Sequence, residues 1–344
     1  MATVPAPRKL FDRLYALLAR GFPRLSTLGH PQSYFKAIQW KENGAMKRKN
    51  RLIYILAVLT LSLVGTVAPA ATIVVLQTFD FPGGATATMP EKISDQGDLI
   101  GTVIDVNGVE HGFIYKYRLG KFSSPFSEPN DTGGITRGRG INKRRTSCGE
   151  YLNASDGTFH GYLLFHPDFV EFDVTGALDT IPLGINNRGD FVGTVIFSDG
   201  PQLAFGSVNG RVTTFAVPDA TATFAYQLNA DNQIIGYYVD TNGIPHGYTR
   251  DRAGNLTFPI DVADSTGTML FGNNDSNWGV GSYTNASTSG AHGLYFITPD
   301  DIQTFNYLGS TSTSLTGINR EGIACGYYID AAGITHGFVA QVRQ

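Results

Sequence analysis

Cysteine is nearly missing: 2 in 344 residues, too few for a disulfide-stapled scaffold or a Cys-rich zinc module. Charge is sparse too, at 16%. Together with 41 glycines, that argues against a helical bundle. Several catalytic signatures are absent. There is no nucleophile elbow, no Gly-x-Gly-x-x-Gly ahead of a helix, no P-loop and no His-Glu-x-x-His. Positive charge is missing from most of the chain: residues 72–344 hold 15 Lys+Arg against 27 Asp+Glu, a net of −12. Such a body lacks the field that nucleic acid or an anionic membrane needs. Aromatic residues, by contrast, make up 12%, too many for a disordered chain.

The first 71 residues have the opposite balance, 11 Lys+Arg against 2 Asp+Glu. Lys47 to Arg51 is a basic run, Leu52 to Gly65 is apolar, and Thr66 to Ala71 is small, with Ala68 and Ala70 at the −3 and −1 positions. This is the pattern of a secretory signal peptide over 46–70, ahead of a mature body at 71–344. If it is not cleaved, residues 52–71 become a membrane anchor. Met46 directly precedes the basic run, so residues 1–45 read as a start-site overcall or a cytoplasmic extension. The expected location is secreted or periplasmic.

The body repeats itself. Ile-Asn-x-x-Gly-x-x-x-Gly runs from Ile185 to Gly193 and Ile318 to Gly326; Ile141 to Gly149 keeps the Ile-Asn and the closing glycine with Arg145 at the middle one, and variants end at Gly101, Gly236 and Gly281. Five of the six units carry a following His-Gly, at His111, His160, His246, His292 and His336; the third has Leu203-Ala204-Phe205 instead. A phenylalanine precedes each closing glycine: Phe79, Phe126, Phe172, Phe215, Phe258 and Phe305. Within a unit, Asn/Asp/Gly-rich turns separate four short strands a to d, for example Thr223 to Leu228, Gln233 to Val239, His246 to Arg250 and Leu256 to Ile260. Four strands in about 45 residues is the size of a propeller blade.

The last unit stops after strand c, and its missing strand d is present at the start of the body, Ile73 to Phe81. The spacing therefore predicts an all-β fold, a closed six-bladed β-propeller whose last blade is completed by the N-terminal strand of the body. A linear array would need capping repeats instead. A threonine recurs five residues before the Ile-Asn isoleucine position: Thr88, Thr136, Thr180, Thr223, Thr268 and Thr313.

Six in-register copies of Ile-Asn-x-x-Gly-x-x-x-Gly followed by His-Gly-Phe or a near variant resemble the bacterial extracellular HAF repeat family, named for a His-Ala-Phe tripeptide. Here glycine replaces the alanine, at Gly112, Gly161, Gly247, Gly293 and Gly337. The resemblance spans residues 73–344 and implies export and repeats, without an assigned reaction.

Recurrence argues that the five histidines are structural, each bonding a turn of its own blade, because a metal needs ligands that converge. Cys148 and Cys325 occupy a position that is Ile or Val in the other repeats, so both should be buried, free thiols in separated blades. Two features are candidate binding sites. One is the threonine series, whose hydroxyls could meet a ligand on the face carrying the d–a loops. The other is an anion or polyanionic-glycan patch around Arg137 and Arg139, with Lys143, Arg144 and Arg145 beside them; the competing reading is a turn paired with Glu128, Asp131 or Glu150. Loop carboxylates Asp131, Asp179, Asp219 and Asp264 could supply a glycosidase-type pair. The expected function is a non-enzymatic, monomeric propeller without metal or cofactor that binds glycan or extracellular protein. The alternatives are a secreted glycan hydrolase or lyase and a structural envelope component.

Overall fold

The computed structural model describes residues 71–344. The expected extension at 1–45 and signal segment at 46–70 lie outside the described residues. The body is a six-bladed propeller of antiparallel strands. Blades two to five are separate four-stranded sheets. Blade four consists of Ala222–Leu228, Ile234–Val239, Pro245–Arg250 and Leu256–Ile260, within a residue of the boundaries expected from the turn chemistry. Blade six has Ser312–Ile318, Ile323–Ile329 and Thr335–Arg343, and its fourth strand is the N-terminal Thr72–Phe79, paired antiparallel with Thr335–Arg343. Blade one has the weakest outer strand, Lys121–Phe122, supplemented by a bridge between Gly112 and Phe126.

The repeat motif can be read atom by atom. Each inner strand bulges between its second and fourth residues after the threonine, as between Gly138 and Gly140 or Ala225 and Gln227. The bulge presses a backbone carbonyl of strand a onto strand b. A Cβ at Gly101, Gly149, Gly193, Gly236, Gly281 or Gly326 would stand 1.9–2.1 Å from that oxygen. Only glycine fits such an approach. The asparagine has two jobs. Its Oδ1 accepts N–H groups of its own hairpin, as Asn142 does from Arg144 and Thr146. Its amide donates to the same residue of the next blade: Asn142 to Asn186 O, Asn186 to Asn229 O, Asn229 to Asn274 O, and Asn274 to Asn319 O.

That chain of bonds closes the ring. Asn319 Nδ2 donates to Ser94 O at 3.1 Å, Thr316 Oγ1 to Pro90 O at 2.7 Å, and the Arg320 N–H to Asp95 Oδ1 at 3.0 Å. All three join blade six to blade one. Ser94, the serine in place of asparagine, leaves the one seam without an amide latch. Apolar side chains fill the seams between blades; Phe79, Leu99, Phe113, Ile323 and Val339 form such a core between blades six and one.

One register differs from the sequence expectation. In blade four the residue equivalent to Phe172 is Ile260, which pairs with Gly247 and is buried, whereas Phe258 is 39% exposed. A one-residue register shift between Gly247 and Thr249, on top of a longer c–d turn, places Ile260 rather than Phe258 opposite the glycine. The spacing of Phe258 from its closing glycine therefore did not reflect a shared packing site.

Cys148 and Cys325 are free and buried, and burial pushes both thiols up to about 12. A thiolate-dependent reagent such as Ellman's should find no reactive thiol in the native body and two after denaturation. Reaction of either thiol in the folded protein would show that its blade seam opens.

Candidate functional site

Each blade contributes one residue per layer to the central axis, so the axis is built as stacked rings. The first ring is the threonine series. Thr88, Thr136, Thr180, Thr223, Thr268 and Thr313 are fully buried. Each hydroxyl accepts a backbone N–H from the d–a loop ahead of it: Phe81, Glu128, Val174, Val217, Val262 and Tyr307, at 2.9–3.1 Å. The expectation of hydroxyls facing a ligand is corrected here. They hold the loop to the start of strand a and have no face toward solvent.

The bulged positions form the ring at mid-channel: Glu91, Arg139, Leu183, Tyr226, Phe271 and Thr316. Its character differs from one side to the other. On the side of blades one and two, Arg139 donates to Glu150 through Nε at 3.0 Å and Nη2 at 2.8 Å, and to Glu91 through Nη1 at 3.1 Å. Arg137 forms a bidentate pair with Glu110, at 2.5 and 3.0 Å. Burial works against the Arg139 charge, but Glu150 and Glu91 hold its guanidinium well above its usual pKa. The expected free anion patch is thus corrected as well: both guanidinium groups are spoken for by carboxylates. Of the three acids named as partners, Glu150 is the one used. Arg145 pairs with Asp98 at 2.6 Å, and Arg144 reaches Asn187 O.

On the side of blades four and five the wall is aromatic. Phe224 and Tyr237 stack with centroids 4.5 Å apart at 23°, and Tyr226 and Phe271 lie 4.9 Å apart at 54°. All four rings are partly buried. The two walls meet across the axis, since Lys92 Nζ of blade one stands 5.5 Å from the centroid of the Tyr226 ring of blade four. Thr102 Oγ1 and Gln227 Oε1 are buried without a hydrogen-bond partner. At the a–b hairpin end the axis opens into a recess rimmed by Asp95, Asn187, Asp275 and Arg320.

The histidines sit far from this axis. Nδ1 bonds the residue after strand d, or in blade one the residue after the Phe126 bridge: Ser127 for His111, Asp173 for His160, Asp261 for His246, Asn306 for His292 and Asp80 for His336, all at 2.7–2.8 Å. Four of the rings also stack against a strand-b tyrosine, as His160 does on Tyr151 and His336 on Tyr328. Each therefore braces the d–a loop against the blade. His160, Glu171 and Asp173 bring ligand atoms within 4.8 Å of one another. Both His160 nitrogens are nevertheless taken, by Asp173 at 2.7 Å and Asp156 at 3.2 Å, the same brace that His336 makes with Asp80 and Asp330.

The loop carboxylates do not assemble a pair. Asp131 accepts the Ile135 N–H and the Thr136 hydroxyl, and Asp179 accepts the Phe159 N–H. Asp219 and Asp264 occupy left-handed turn positions, with φ of 61° and 59°. Burial raises the Glu128 pKa, against the N–H of Asn130 and with Glu171 and Asp131 adding to the rise.

The aromatic wall and the cross-blade ion pairs were not singled out by sequence reasoning. A signal was available: at the bulged position the six repeats disagree completely, whereas the threonine three residues earlier is the same in all six.

No protein-family model matches the chain, and no curated protein matches it in sequence. Several solved structures share its architecture. AofleA from Arthrobotrys oligospora aligns at 9% identity and a TM-score of 0.51, over 78% of this chain and 86% of that one. The Aleuria aurantia lectin in complex with Fucalpha1-6GlcNAc aligns at 8% identity and 0.49, over 75% and 95%. The β-propeller domain of the Trilobed protease from Pyrococcus furiosus aligns at 12% and 0.46, over 75% and 83%. At these identities the likeness is one of fold.

Proposed function

We propose that the protein is an exported, non-enzymatic propeller of the HAF repeat type that binds carbohydrate in its axial channel. The observation that supports this reading is the opposition of two walls: Phe224, Tyr226, Tyr237 and Phe271 on one side, and Arg137, Arg139, Glu91 and Glu150 on the other. A sugar ring offers an apolar face to an aromatic platform and a rim of hydroxyls to charged donors and acceptors. Few binding sites need more than an apolar wall and a small number of convergent polar groups. The leading segment, with its basic run, apolar stretch and Ala68/Ala70 pattern, supports export.

A glycan array probed with the 71–344 body tests the reading. Binding should be retained by a surface variant such as Arg252→Ala. It should weaken by about ten-fold or more, ~1.4 kcal/mol, in both Phe224→Ala and Tyr237→Ala. Binding that survives both changes would move the site off the axis. The hydrolase alternative draws on Glu128, the loop carboxyl whose acid form is favoured by burial. Reducing-sugar release by the native body, lost in Glu128→Gln, would replace the non-enzymatic reading with that one.

A further inference from the structure

Among the channel cations, Arg137 and Arg139 each have carboxylate partners. Lys92 does not. It is 4% exposed, and among the described residues its Nζ makes neither an ion pair nor a hydrogen bond; its neighbour is the face of the Tyr226 ring. The side chain crosses the axis at a level where four other blades carry glycine: Gly140, Gly184, Gly272 and Gly317. The remaining blade, blade four, carries Gln227, whose Oε1 is buried and unpartnered. A buried cation without a direct ion-pair or hydrogen-bond partner is costly. A buried amide oxygen without a donor adds a smaller cost of the same kind. A single class of ligand answers both, one with a carboxylate for the amine and hydroxyls for the amide.

We propose that Lys92 recognises a carboxylate, so that the ligand of the channel is an acidic glycan containing a uronic acid. This rests on the preceding reading of the channel as a carbohydrate site and specifies its substrate class. The groups facing the amine are consistent with it. Glu91 is the nearest acid and its charge favours the ammonium form, but its carboxylate is engaged by Arg139, whose own charge opposes Lys92. Cys148 and Cys325 approach from the two flanking blades and stay neutral at ordinary pH, because burial pushes both thiols up to about 12. Tyr226 offers a ring face. A ligand carboxylate would therefore supply the direct ion pair that the channel residues do not make.

Burial lowers the Lys92 pKa, and a bound carboxylate would raise it again. Binding of the acidic ligand should thus be accompanied by proton uptake once the pH approaches the lowered value of the free protein, and affinity should fall as pH rises further. A neutral ligand should show neither effect.

The experiment uses an array of uronate-containing oligosaccharides printed beside their carboxyl-reduced forms, followed by calorimetry on the best pair in buffers of different ionisation enthalpy between pH 7 and 10. The native body should prefer the acidic member by ten-fold or more and take up protons on binding it. Lys92→Met, with an unchanged melting transition, should bring the two members to equal affinity. Proton uptake is measured on the native protein, so the test stands even if the variant fails to fold. Equal binding of both members by the native body, or no proton uptake across the range, overturns the role of Lys92 and leaves the carbohydrate reading intact. Absence of binding to either member overturns both.

Discussion

Deleting residues 72–79 from the body should abolish its cooperative unfolding transition. The strand supplies the fourth member of blade six although its partner lies at the far end of the chain: Thr78 sits opposite Phe338 and Phe79 opposite Gly337. Phe79 is buried, and its ring stacks on Tyr115 of blade one at 4.2 Å. The strand therefore ties blade six to itself and to blade one together. Its loss leaves Thr335–Arg343 as an open edge, a template for aggregation. It also uncovers the aromatic cluster of Phe79, Phe113, Tyr115 and Phe122 at the seam. The ring is stabilised by closure, and domains as a rule hold only about 5–15 kcal/mol in total. A synthetic peptide of residues 72–81 added in trans should restore the transition by strand addition. A truncated body that melts like the native one by calorimetry and near-UV circular dichroism would show that the ring does not depend on its terminal strand.

Glu150→Gln should be the most damaging conservative substitution in the channel. Glu150 is 1% exposed and receives both Nε and Nη2 of Arg139, while Arg137 Nη1 stands 3.6 Å away. Removing its charge leaves one buried guanidinium with only Glu91 and weakens the hold on a second. Breaking one side of such a pair costs about 3–5 kcal/mol, which for a domain of this size lowers the melting temperature by roughly 10 °C. The paired change Arg139→Met with Glu150→Leu should recover much of the loss, because it removes the buried charges together. Thermal denaturation of the native, single and double variants checks both statements. A single variant within 2 °C or so of native would mean that Arg139 is hydrated in the channel rather than held by Glu150.

Much of the fold was written in the repeat. The turn residues marked the blade-four strands to within a residue, and the absence of a final strand d matched the unpaired strand at the start of the body. The physical reason is that each motif residue answers a backbone demand made six times over. Gly149 and its equivalents stand against a carbonyl, and Asn142 and its equivalents turn a hairpin and latch the next blade. Demands of that kind leave a periodic trace. Phe258 shows the limit of the same logic: a one-residue bulge and a longer turn keep the spacing almost unchanged while exchanging a core residue for a surface one.

The candidate site was hardly legible, for the complementary reason. A binding site breaks the repeat, because a ligand has no sixfold symmetry. Glu91, Arg139, Tyr226 and Phe271 share one repeat position and nothing else, and each looks unremarkable in its own strand. Their meaning lies in cross-blade partners such as Arg139 and Glu91, 48 positions apart in the chain. Recurrence pointed instead to the threonines, whose conservation of type within the chain reflects six identical bonds to six loop N–H groups. Arg137 and Arg139 were visible as a basic anomaly, but the acids that neutralise them come partly from blade one, beyond the reach of local pattern.

The most direct measurement is a crystal structure of the 71–344 body with the oligosaccharide that binds best. Ligand density is expected on the propeller axis, with a sugar face against Phe224 or Tyr237 and its polar edge toward Arg139 and Lys92. Density lodged between blades on the outer surface, beside the braced histidines, with the axis filled only by protein and water, would contradict the axial site.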